Sequence, residues 1–184
     1  MNTKTYFIIG ANGVGKTTTL TFLRGLLSKD NFNIYDFDER GVPDNADKTW
    51  RKSETRYWLK LGEENTKLGK STIICGFSKP EEIEEISNDL IERPTVIFLD
   101  ADANTISERI KSRYLNEESI SELLRTTGKS VEKFVMDNIY YSNFLRESCV
   151  KYGYIIIDTT GNKPEEVSSK VISCIQSSEH CPKL

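Results

Sequence analysis

The chain is predicted to fold as an α/β protein, a three-layer αβα arrangement around one five-stranded parallel sheet. Three observations carry this. Apolar runs alternate with helix-patterned segments along the 184 residues, as βαβ units require. Two runs, Val96-Ile97-Phe98-Leu99 and Tyr154-Ile155-Ile156-Ile157, are nearly uninterrupted, as befits strands covered on both faces. The first run, Tyr6-Phe7-Ile8-Ile9, passes straight into a glycine-rich turn and then a helix-compatible stretch.

In order, the pattern predicts strand 5–9, helix 15–29, strand 33–37, a long helical region over about 46–68, strand 71–76, helix 80–92, strand 95–100, helices 103–113, 117–127 and 130–150, strand 153–157 and helix 163–177. Pro80 and Pro164 fall at helix starts, where a missing N–H costs little, and Pro94 separates the third-strand helix from the fourth strand. With no repeat or low-complexity linker, residues 1–184 read as one domain.

Gly10-Ala11-Asn12-Gly13-Val14-Gly15-Lys16-Thr17 matches Gly-x-x-x-x-Gly-Lys-Thr, the Walker A or P-loop pattern, in its confirming context between strand and helix. Gly10, Gly13 and Gly15 let the backbone curl so that successive N–H groups face a phosphate, and the helix start adds the positive end of its dipole. Lys16 is placed to reach the β- and γ-phosphates, and the Thr17 hydroxyl to ligate magnesium, with Thr18 completing the cradle. The expectation is a nucleoside triphosphate site.

Beyond the second strand, Asp36 and Asp38 stand two residues apart, which on an extended segment turns both carboxylates to one side. At the carboxyl end of a strand beside a P-loop, one can serve the magnesium shell and the other can orient or deprotonate an attacking hydroxyl. The segment 47–58 is aromatic and basic at helical spacing, with Trp50, Tyr57 and Trp58 expected on one face and Arg51 a candidate clamp for an acceptor carboxylate or phosphate. Gly76 ends the third strand, where a missing side chain would admit an acceptor to the backbone. Arg109 and Arg113 share a helix face and suit the charge that spreads over a transferring phosphoryl group, with Arg125, Lys129 and Lys133 as alternatives. Asp100, at the end of the fourth strand, is read as structural, and Phe134, Ile139, Tyr140, Tyr141, Phe144 and Leu145 as packing. Thr160 and Asn162 are candidates for contacts to the base.

A net charge of −3 argues against a general nucleic-acid surface, and no apolar run approaches the ~20 residues of a membrane helix. The N-terminus lacks the pattern of a signal peptide. Cys75, Cys149, Cys174 and Cys181 show no Cys-x-x-Cys spacing, so a reducing cytosol is expected. Cys75 reads as a small hydrophobe, and Cys174, His180 and Cys181 as a solvated tail.

In the P-loop, Asp36-Phe37-Asp38, the glycine of Ile73-Ile74-Cys75-Gly76-Phe77, and Phe98-Leu99-Asp100-Ala101 followed by Arg109 and Arg113, the chain resembles the P-loop small-molecule and nucleotide kinases. Among them it is most similar to the shikimate-kinase-like branch. The resemblance implies strand order 2-3-1-4-5, an acceptor-binding helical segment at about 40–70 and a helical lid at about 109–150. It also implies transfer of the γ-phosphate of ATP, with magnesium, to a small acceptor. By position, it gives Asp36 to magnesium, Asp38 to the acceptor hydroxyl, and Arg109 and Arg113 to the lid. The sequence departs from the nucleotide kinases in having Cys75-Gly76-Phe77-Ser78-Lys79-Pro80 where they carry Asp-Gly-Phe-Pro-Arg, and from shikimate kinases in lacking a run of glycines there.

The reading is an ATP- and magnesium-dependent phosphotransferase acting on a hydroxyl or phosphate of a small molecule. Its alternatives are a nucleotide-dependent regulatory ATPase or switch, and a kinase of nucleic-acid 5′ ends. A guanine-type Asn-Lys-x-Asp is absent, since Asn162-Lys163-Pro164 is followed by Glu165.

Overall fold

A computed structural model describes residues 3–43 and 46–179. Strands β1 (Thr5–Ile9), β2 (Phe32–Asp36), β3 (Ser71–Gly76), β4 (Thr95–Asp100) and β5 (Ile155–Asp158) form one sheet in the order β2-β3-β1-β4-β5. Every pairing is parallel, with Phe7 opposite both Ile74 and Val96 at the centre. The helices are α1 (Lys16–Leu26), α2 (Lys48–Lys67), α3 (Pro80–Ser87), α4 (Ala103–Lys111), α5 (Glu117–Thr127), α6 (Val131–Tyr152) and α7 (Pro164–Glu179).

Alternation along the strands divides the interior in two. Tyr6 and Ile8 face a core with Leu20 and Leu23 of α1, Ile106 and Ile110 of α4, and Val171 and Ile175 of α7. Phe7 and Ile9 face a second core with Trp58 and Leu59 of α2, Ile83 and Ile86 of α3, and Leu145 and Cys149 of α6. The β1 and β4 side chains in both cores are almost fully buried, which explains why those strands read as continuous apolar runs.

The element order is as expected, with differences at the ends. α1 stops at Leu26 rather than 29, and β2 begins one residue early, at Phe32. α3 ends at Ser87 rather than 92, because the next amides, of Asp89 and Leu90, bond three residues back and tighten into turns. α6 runs to Tyr152, so β5 spans Ile155–Asp158 instead of 153–157. Cys174 belongs to α7 and packs half-buried against the first core, so the expected solvated tail does not begin there; His180 and Cys181 lie outside the described residues.

α6 also carries more than the expected insertion. Its Val135 reaches one core and Leu145 and Cys149 the other, which makes it a covering helix of the sheet. The part of 109–150 with little buried surface is α5, where only Leu123 is buried while Ile120 and Leu124 face solvent. Among the described residues no helix is long and apolar enough to cross a membrane.

Candidate active site

The turn after β1 is held open by its own glycines. Gly13 (φ +88°) and Gly15 (φ +100°) take the left-handed conformation that side chains disfavour, and Gly15 is the N-cap of α1. Lys16, the first helical residue, folds back and donates from Nζ to the carbonyls of Gly10 and Ala11, each at 2.9 Å. Burial holds its ammonium below the usual lysine range, with Arg113 adding repulsion. Thr17 and Thr18 stand exposed on opposite flanks of the helix start: Thr17 lines one cavity and Thr18 another.

Three elements brace this loop from behind. Asn138 of α6 accepts from both the backbone N–H and the Nδ2 of Asn12 at 3.0 Å. Thr159, just past β5, donates to the Val14 carbonyl at 3.0 Å. Arg109 of α4 donates to the Gly13 carbonyl (3.3 Å) and to the hydroxyl and carbonyl of Thr159 (3.0 and 2.9 Å). Neither Asn138, a polar position within α6, nor Thr159, just after β5, carries a local motif that marks it in the sequence.

The carboxyl ends of β2 and β3 form the facing wall. The expectation that Asp36 and Asp38 share a side through an extended segment is corrected. The chain turns at once, and Asp36 Oδ1 accepts from the Asp38 N–H at 2.9 Å. Both carboxylates still line one cavity with Lys16, because the turn itself is anchored. Phe37 N–H extends the ladder to the Cys75 carbonyl (2.9 Å), and the Phe37 carbonyl accepts from Trp58 Nε1 (3.0 Å). Burial and the neighbouring Asp36 push the Asp38 carboxyl above the usual carboxylate range, against the pull of Lys16.

This first cavity, of about 350 Å³, brings together Asn12, Lys16, Thr17, Asp36, Asp38, Trp50, Arg51 and Gly76. Cys75 lies on its floor, a buried thiol pushed up to about 12 and donating to the Lys16 carbonyl at 3.5 Å. Gly76 lines this cavity, and the neighbouring turn also requires a glycine there: a Cβ would stand 2.1 Å from Phe37 Cβ. The aromatics of α2 do not share one face. Trp58 is core, Tyr57 is exposed beneath the Arg40 guanidinium at 3.6 Å, and only Trp50 reaches the cavity. Arg51 lines the cavity too, but two of its donors are bound to Glu82, Nε to Oε2 at 2.8 Å and Nη2 to Oε1 at 2.7 Å.

A second cavity, of about 330 Å³, lies across the loop. Gly13, Val14, Gly15, Thr18, Arg109, Arg113, Thr159 and Asn162 line it, so the two arginines stand on the other side of the loop from Asp38. Arg109 is spent on the loop, whereas Arg113 is exposed and makes no side-chain hydrogen bond or ion pair among the described residues. Arg125 pairs with Glu122, and Lys129 and Lys133 with Asp137. Asn162 faces the cavity, while the Thr160 hydroxyl accepts from the Asp102 N–H. Asp100 is held by Arg146 and Ser142 and lines neither cavity, in agreement with its structural reading.

Thr17 and Asp36 offer oxygen donors to the first cavity, a set that suits magnesium, an ion that takes hard oxygen ligands and keeps most of its own waters or phosphate oxygens.

No family model matches the chain. A curated protein of Pyrococcus furiosus named "Putative adenylate kinase" is 29% identical over 174 residues, covering 92% of this chain and 83% of that protein. Among solved structures, shikimate kinase from Acinetobacter baumannii superposes with a TM-score of 0.60 at 17% identity, covering 97% of this chain and 96% of that one. Thymidylate kinase from Candida albicans gives 0.54 at 15% identity, covering 97% and 93%. The fold and strand order are those of the P-loop kinases, and the resemblance seen in the sequence is supported over nearly the whole chain.

Proposed function

We propose that this chain is a phosphotransferase that uses ATP and magnesium to phosphorylate a small molecule, working in the cytosol. The observation that carries the proposal is the pair of cavities meeting at one P-loop, with Lys16 and Asp38 lining the same one. In this reading the nucleoside lies in the cavity of Arg109, Thr159 and Asn162, and its phosphates run along the loop amides. The γ-phosphate then ends at the cavity shared by Lys16, Thr17, Asp36 and Asp38.

The acceptor oxygen attacks the γ-phosphorus while the bond to the β-bridging oxygen breaks, releasing ADP. Asp38 takes the acceptor proton, for which a carboxylate of raised pKa is a better base than an ordinary one. Lys16 leaves the carbonyls of Gly10 and Ala11 to follow the phosphate oxygens, and Arg113 supplies the mobile cation. Thr17 and Asp36 would hold magnesium, which neutralises phosphate charge when bound.

An ATP-consumption screen over pooled sugars, sugar acids, nucleosides, nucleotides, aminoglycosides and phenolic acids tests the class. A phosphorylated product is expected. Slow ATP hydrolysis with no product from any pool would instead favour a nucleotide-dependent switch or a macromolecular acceptor.

A further inference from the structure

Resting on the phosphotransferase reading, the charges around the first cavity bear on its acceptor. Five charged residues line it: Lys16, Asp36, Asp38, Asp47 and Arg51. Lys16 is committed to the loop and, in this reading, to the phosphates of ATP. Arg51 is the other cation, and it is neutralised in place. Its guanidinium makes a two-pronged ion pair with Glu82, a residue only 3% exposed. Pulling Arg51 away would strand a buried carboxylate, which is strongly unfavourable. Arg40, in the loop after β2, does not line the cavity and is likewise paired, donating to both oxygens of Glu54 (3.2 and 3.0 Å) over the Tyr57 ring. The sequence at 44–45 is Asp-Asn, which brings no cation in any placement.

What remains toward an acceptor is Asn12, the carboxylates of Asp38 and of Asp47 (which also caps α2 at the Trp50 N–H), with Asp36 given to magnesium in this reading, and the aromatic side chains of Trp50 and Phe77. Phe77 is itself propped by Tyr141, stacked at 5.1 Å. Such a wall repels an anion and offers flat apolar contact with hydrogen-bond acceptors around it.

We infer that the acceptor is a ring-bearing alcohol without negative charge, such as a nucleoside or an amino sugar, rather than a carboxylate or a phosphate ester, because Glu82 holds Arg51 out of service as an anion clamp. Phosphorylation thus falls on a hydroxyl. Glu82 acts as a positioning residue for selectivity.

The test compares matched pairs with the full chain, ATP and magnesium: thymidine against thymidine monophosphate, and glucosamine against gluconate, within the broader screen. The uncharged or cationic members are expected to be phosphorylated with kcat/KM at least tenfold above their anionic counterparts. Glu82→Gln, which removes the negative charge that neutralises Arg51, is expected to move that ratio at least tenfold toward the anion, with thermal unfolding checking that the variant folds. Products from anionic acceptors alone would overturn this inference and leave the phosphotransferase reading standing. No product from any acceptor would overturn both. If Glu82→Gln fails to fold, the wild-type ratio decides.

Discussion

Asn138 Oδ1 accepts two hydrogen bonds from Asn12, one from its backbone and one from its side chain, both at 3.0 Å, and thereby fixes the crown of the P-loop to α6. The bond spans 126 residues, and the Asn138 Nδ2 is itself held by the Phe134 carbonyl at 2.8 Å. The loop is thus aligned before any phosphate arrives. Asn138→Ala is expected to weaken nucleotide binding by about five- to tenfold and to lower stability by about 1 kcal/mol, the scale of one or two part-buried hydrogen bonds. Calorimetric titration with ATP and thermal unfolding measure the two effects; unchanged nucleotide affinity would refute the bracing role.

Lys16→Ala is expected to lower turnover by at least about a thousandfold, as loss of a cation aimed at transition-state charge does. Stability should change little, because the ammonium now bonds only to carbonyls of its own loop. Single-turnover kinetics with the acceptor found in the screen separates chemistry from binding.

Asp38→Asn should reduce phosphoryl transfer by about 10²–10⁴-fold, the usual worth of a general base, with ATP binding nearly intact. Its folded pKa is raised, so the ionised carboxylate is favourable to unfolding: the native state gains relative stability below the carboxylate range and loses it as pH rises through the raised value. Asp38→Asn is therefore expected to melt at or above the wild-type temperature at pH 7, with the difference shrinking in acid. In the wild type, the acid limb of kcat/KM should lie above the usual carboxylate range, since Asp38 must be ionised. The alkaline limb should lie below 10.5, since Lys16 must be charged and its pKa is lowered. A pH profile whose acid limb sits near pH 3.8 would remove Asp38 from the role of base.

Arg109 and Arg113 should separate cleanly. Arg109 makes three hydrogen bonds to Gly13 and Thr159, so Arg109→Ala is expected to cost about 1–3 kcal/mol of stability. Arg113 is exposed beside the second cavity, so Arg113→Ala should leave the melting temperature in place while lowering kcat by about 10²-fold. The reverse pattern would transfer the catalytic role to Arg109.

Gly76→Ala places a methyl 2.1 Å from Phe37 Cβ, in a wall already closed by Trp58. The expected cost is about 1–3 kcal/mol, as for overpacking in a filled core, together with loss of activity through displacement of the Asp36–Asp38 turn. A Gly76→Ala protein of wild-type stability would show that the wall yields.

The P-loop was legible because one contiguous stretch encodes it: the glycines set the backbone, and the lysine and threonine follow at fixed spacing. The sheet was legible for a similar reason, since its buried strands must be apolar on both faces, and this alternation with helices leaves few topologies. Asp36 and Asp38 were legible as a pair, although the side-by-side placement comes from a turn and not from an extended strand. Tertiary structure alone decided the rest. Residues 51 and 82 are 31 apart, and only the packing of α2 against α3 converts a free guanidinium into a neutralised one. Arg109 and Arg113 look alike in a sequence that predicts one helix over 103–113, yet α4 ends at Lys111 and leaves Arg113 in the turn beyond it, so the two do not share a helix face and only Arg109 is held against the loop and Thr159. The physical reason is common to these cases. Local sequence fixes backbone conformation and the types of group on offer, whereas the charge and freedom of each group depend on partners that only the folded chain brings near.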